Sequence, residues 1–145
     1  MTVPLWVAVS AQAQAPAQTK TAIAVLDFEP NNSSASDAAA VTEFLRSALI
    51  DLNVWTVVER KHMSRILAEQ AMQQTGCTSQ DCAVKLGRVL NVRKVIVGTF
   101  GVVERTRFIT ARLVDVETGA NERSAKASGF HLREIDGVAE RIARQ

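Results

Sequence analysis

Hydrophobic and polar positions change period along the chain, and the clearest change lies between Asn91 and Gly119, which reads NVRKVIVGTFGVVERTRFITARLVDVETG. Val95, Ile96 and Val97, then Phe100, Val102 and Val103, are apolar without alternation, as in a strand covered on both faces. A charged break at Glu104–Arg107 follows. Beyond it Ile109, Ala111 and Leu113 alternate with Thr110 and Arg112, so a second strand returns with one apolar face. The DVETGAN segment predicts a turn with positive φ at Gly119. A third strand, Glu122–Ser128, is polar at most positions and is expected at a sheet edge.

Upstream, Thr21–Phe28 reads as a first strand buried on both faces, and Glu29–Ser34 as a loop. Ser36 is the expected N-cap of a helix, with Asp37 suiting its dipole. Val41, Phe44, Leu45, Ala48, Leu49 and Leu52 make its apolar stripe, and Asn53 its end. Trp55–Glu59 predicts a second strand. A helix over His62–Gln74 carries Met63, Ile66, Leu67 and Met72 and ends at Thr75-Gly76. Thr78 or Ser79 caps a third helix bearing Val84, Leu86, Val89 and Leu90. Leu132, Ile135, Val138, Ala139 and Ile142 make a final amphipathic helix. The predicted fold class is a single α/β domain with a mixed parallel/antiparallel sheet, in the order β-α-β-α-α-β-β-β-α. Helical crossovers make the first half parallel, and tight turns make the second half antiparallel.

Composition narrows the function classes. The 145 residues hold 47% hydrophobic and 22% charged positions and a net charge of +2, ordinary for one globular domain. Small basic groups occur at Arg60, Lys61 and Arg65 and at Arg88, Arg93 and Lys94. Aromatics are 5% and tyrosine is absent, so a nucleic-acid platform of stacking rings on a basic stripe is not expected. Val3–Val9 is a short apolar run followed by overlapping A-x-A sites over Ser10–Ala15. Residues 1–15 are therefore expected to be the remnant of a secretory signal peptide, 16–20 a linker and 21–144 the domain. The run is too short for a transmembrane helix, and no cysteine for lipid attachment follows the cleavage region.

Candidate chemistry is sparse. Cys77 and Cys82, in GCTSQDC, are expected to form one disulfide joining a loop to the next helix, as suits an exported chain. His62 and His131 are too far apart in sequence to complete a zinc site with them, and the spacing is not C-x-x-C. Asp27 and Glu29 lie on one face at the end of the first strand, where open α/β sheets often place a ligand. They are the candidate ligand site, though no nucleophile or base accompanies them. Gly98-Thr99-Phe100-Gly101 fails the phosphate-loop pattern and predicts close backbone packing. No catalytic residue, metal or cofactor is expected.

The segments IAVLDF, WTVVER, ILAEQ, VIVGTF and ITARLVDVETG, in this order, resemble the CsgG family of bacterial envelope proteins, which includes the curli secretion component. The resemblance runs from about Ala22 to Gly129, with the TolB amino-terminal and FlgO-type domains as relatives. It implies a non-enzymatic periplasmic domain, outer-membrane associated through its partners, that binds copies of itself or other envelope proteins. The curli component is a lipoprotein with long barrel-forming hairpins. This sequence has neither that cysteine nor a hairpin with a continuous lipid-facing side, so a pore is not expected. The exposed edge Glu122, Arg123, Ser124 and Lys126 is the candidate partner-binding site.

Overall fold

In the computed structural model, residues 2, 19–73, 77–129, 131 and 134–144 are described. The doubly buried run of the first strand forms β1 (Ala22–Val25), followed by β2 (Glu29–Asn31), α1 (Ala35–Leu52), β3 (Thr56–Val57), α2 (Arg60–Glu69), α3 (Gln80–Leu90), β4 (Lys94–Val103), β5 (Thr106–Asp115), β6 (Asn121–Ser128) and α4 (Ile135–Ala143). The sheet runs β3-β1-β4-β5-β6, and β2 pairs with the far half of β4. Pairing of β1 with β3 and β4 is parallel, whereas β4–β5 and β5–β6 are antiparallel. The expected order and mixed sheet are thus observed.

The long apolar strand is the spine because it is buried twice. On one face Ile96 and Phe100 pack with Ile109 and Leu113 beneath Leu45 and Leu49 of α1 and Val138 and Ile142 of α4. On the other, Val95, Val97 and Val114 meet Met63 and Leu67 of α2 and Leu86 and Leu90 of α3. Helices therefore lie on both sides of the sheet, as its parallel half requires. Close packing also explains the two glycines of the GTFG segment. A Cβ at Gly98 would stand 2.1 Å from the Thr110 carbonyl oxygen, and one at Gly101 2.5 Å from the Phe108 ring.

Local differences from the sequence reading have identifiable causes. The loop expected at Glu29–Ser34 contains β2, whose Glu29 and Asn31 align with Thr99 and Gly101 of β4. Between β1 and β2, the Phe28 N–H leaves the ladder and donates to the buried Thr42 hydroxyl at 3.0 Å. Ser34, not Ser36, caps α1: its hydroxyl accepts from the Asp37 N–H at 3.0 Å, and Ser36 hydrogen-bonds the Ser34 hydroxyl instead. The second strand is shorter than expected, only Thr56–Val57.

Helix α2 starts at Arg60 and stops at Glu69, not Gln74. Ala71 takes the left-handed conformation there (φ 51°), and the Met72 N–H returns to the Leu67 carbonyl at 2.8 Å. That is a Schellman closure without glycine. The expected stop at Thr75-Gly76 and the buried position Leu132 lie outside the described residues. Asn53 and Asn91 end α1 and α3 in the left-handed region, Ser79 caps α3, and Gly119 has φ 73°.

Candidate functional site

Strand β6 ends the sheet, with β5 on one side and no strand on the other among the described residues. Its side chains alternate. Ala125 and Ala127 pack into the core beneath α4, while Glu122, Ser124, Lys126 and Ser128 are exposed. The backbone alternates too. The Gly129 N–H donates to the Arg107 carbonyl at 2.8 Å, and Phe108 stands opposite Ser128 in the register. Stepping by two from that bonded pair, Arg123, Ala125 and Ala127 direct their N–H and C=O groups to β5. Ser124, Lys126 and Ser128 therefore turn theirs outward, a template for another strand, whereas Glu122 falls at the register shift beside Leu113 and Val114.

That edge is partly guarded. The Arg141 guanidinium of α4 donates to the Lys126 carbonyl at 2.9 Å, occupying one outward acceptor. Arg123 donates to the Ile142 carbonyl at 2.9 Å, which holds the end of α4 against β6. Glu122 is paired with Lys94. Of the four residues predicted for this edge, Arg123 and Glu122 are engaged within the chain, and Ser124 and Lys126 are exposed. Beside the edge, Thr110 and Arg112 of β5 are half-buried, and the Arg112 guanidinium donates to the Thr78 carbonyl.

The disulfide Cys77–Cys82 is present. Cys77 is buried in the cluster under α2 and α3, and Ser79 caps α3 between the two sulfurs by accepting from the Cys82 N–H at 3.1 Å. The bridge and the cap fix the start of one helix. Closing so small a ring stabilises the fold by about 2 kcal/mol in the chain-entropy account.

Asp27 and Glu29 stand in different settings. Asp27 is 4% exposed and receives two hydrogen bonds from Arg60, at 2.7 and 3.3 Å. A second guanidinium, Arg46, lies 4.0 Å from it and donates to the Val25 carbonyl at 2.6 Å. The Asp27 hydrogen bond, then its charge, holds Arg60 above its ordinary pKa. Glu29, half-buried, opens β2 opposite Thr99. The Asp27 carboxylate is thus engaged in fastening β1 to α1 and α2.

Asp115 is an acid that the sequence reading passed over. It accepts from the Glu117 and Thr118 N–H groups at 2.9 Å each, closing the turn to Gly119. The Thr118 N–H bond holds its pKa below the usual carboxylate value, with help from Glu117, the Thr118 hydroxyl and Arg93 and against the effect of burial. The signal was legible as D-x-E-T-G, an Asx turn. Among the described residues, no group of three or more His, Cys, Asp or Glu is placed to hold a metal ion. Among the described residues, no helix is long and apolar enough to cross a membrane.

This architecture is an α/β sandwich whose antiparallel edge is unpaired among the described residues, and comparison with known proteins places it. The model of the CsgG family, curli production assembly/transport component, matches residues 5–107, and the chain belongs to that family. The LpoB C-terminal domain from Escherichia coli superposes with a TM-score of 0.64 at 17% identity, over 83% of this chain and 90% of that one. The PelC dodecamer subunit from Paraburkholderia phytofirmans gives 0.57 at 18%, over 90% and 95%. TolB from Acinetobacter baumannii gives 0.56 at 16%, over 90% of this chain and 29% of its own. At such identities the likeness is one of fold. No curated protein matches the chain.

Proposed function

We propose that this chain is a non-enzymatic assembly or adaptor protein of the bacterial cell envelope, which binds envelope proteins or further copies of itself by strand addition at β6. The observation that carries the reading is the outward backbone of Ser124 and its neighbours at the end of the sheet. An extended segment laid there gains main-chain hydrogen bonds, while the exposed Ser124 and Lys126 restrain indiscriminate pairing. Membership of a family described by curli assembly and transport supports the envelope setting. The dodecamer formed by PelC supports self-association as one use of the fold.

Ser124→Pro is a sharp test. The Ser124 N–H faces away from β5, so proline there removes an outward donor and spares the β5–β6 ladder. In a pulldown from envelope extract, the wild type is expected to recover partners that the proline variant loses. Equal recovery would show that the edge is not the binding surface. Export belongs to the same reading. Tagged chain should fractionate with the periplasm and carry a new amino terminus near Ala13 or Ala15, and an unprocessed cytosolic product would refute it.

A further inference from the structure

The apolar stripe predicted for α1 includes Phe44, and the fold leaves that ring outside the core. Val41, Leu45, Ala48 and Leu49 are buried, whereas Phe44 is 47% exposed. It stands one residue before Leu45, about 100° around the helix, and so lies on the flank of α1 rather than over the sheet. A single exposed apolar residue needs no explanation, but one that borders an apolar groove marks a contact surface.

That groove, of about 410 Å³, lies between the first half of α1 and the sheet corner where β4 ends and β5 begins. Buried Val41 and Phe100 form its floor, and Phe44 and Val102 its walls. One bank is helix and carries Asp37. The other is sheet and carries Arg107, which the register sets opposite Val102. Arg107 shares its strand parity with Ile109, so it lies on the α1 side of the sheet. Both charged residues are exposed, and among the described residues neither has an ion-pair partner.

We propose that this groove is the interface of a closed dimer, with the two-fold axis running along it. Such an axis lays the helix bank of each copy over the sheet bank of the other. Phe44 then covers the partner's Val102 and Phe100, and Asp37 meets the partner's Arg107, once on each side. The charges identify the occupant. One acid and one base on opposite banks leave the patch without net charge, so it attracts neither nucleic acid nor an anionic surface. Its complement is an apolar surface carrying the same two charges exchanged, and a second copy supplies that. An aromatic anchor buried at the centre of a contact carries a large share of its binding energy. A contact centred on one groove is small, so the dimer is weak and concentration-dependent. It closes at two copies and uses none of β6, so it is independent of strand addition.

The test is analytical ultracentrifugation of the full chain over a concentration series, as wild type and as Ser124→Pro. Ser124→Pro removes association through β6, and a monomer–dimer equilibrium without larger species is expected to remain. In that background Phe44→Glu should weaken the dimer by about tenfold. Arg107→Asp sets two acids against each other in each contact, and Asp37→Lys two bases, so either alone should weaken it by about tenfold. Mixing these two variants should restore association, because the heterodimer again pairs opposite charges on both sides. Far-UV circular dichroism confirms that each variant is folded, and recovery in the mixture cannot come from misfolded chains. A monomer at every concentration, an unchanged dimer in Phe44→Glu, or a mixture that associates no better than its components would overturn the proposal. So would loss of the dimer in Ser124→Pro, which would assign self-association to β6. A pulldown in which Ser124→Pro keeps every partner refutes strand addition and leaves this dimer standing.

Discussion

Asp27 is placed where removing its charge must be felt. Its carboxylate is buried between Arg60 and Arg46, and the Arg46 guanidinium is itself 3% exposed. Asp27→Asn keeps the volume but removes the charge that Arg60 donates to, while Arg46 keeps Glu43 and the Val25 carbonyl; it is expected to destabilise the chain by about 2 kcal/mol. Urea unfolding checks this. Stability unchanged or raised would instead favour an acid kept for a ligand, since such groups are held at a cost to the fold. Asp115 makes the complementary case. Its folded pKa lies below the ordinary 3.8, so its contribution is complete above that value and is lost as pH falls through the lower, folded one. Thermal stability should therefore drop on acidification below about pH 4, and Asp115→Asn should flatten that drop. An identical acid limb in both proteins would mean that the turn does not use the charge.

At the scale of elements, helix α4 does more than cover the sheet. Arg141 occupies the outward carbonyl of Lys126, and Arg123 anchors the helix end. Arg141→Ala should uncover the edge and raise self-association, seen as a larger sedimentation coefficient at high concentration. If the variant associates no more than the parent, Arg141 is not a guard. The elements themselves were largely legible. Unbroken apolar runs marked β4, alternation marked β5, and polar composition marked β6 as the edge. Where the reading slipped, several residues competed for one role. Ser33, Ser34 and Ser36 all suit a cap, and only three-dimensional closure chose Ser34. Alanine is a poor left-handed residue, so nothing announced that Ala71 would end α2. The outward backbone of Ser124 depended on a register that no side-chain pattern encodes.

For the whole molecule, the decisive fact is that two apolar clusters share one strand. Ile96 and Phe100 belong to the cluster beneath α1 and α4, and their neighbours Val95 and Val97 to the cluster beneath α2 and α3. Neither layer can loosen without exposing one face of β4, so the two sides are expected to unfold together. Leu45→Ala in the first cluster and Leu86→Ala in the second each empty a fully buried site and should cost about 2–5 kcal/mol. Both should shift one common transition. Far-UV circular dichroism and Trp55 fluorescence, the latter in a Trp6→Phe background, report on helices of both layers and on the first cluster alone. Trp55 is 9% exposed and packs with α1, so separate cores would let Leu86→Ala melt α2 and α3 while its emission stayed native. Coincident curves in every variant are expected because β4 transmits the loss of either layer to the other; divergence in Leu86→Ala would show that the disulfide-linked side folds as its own unit.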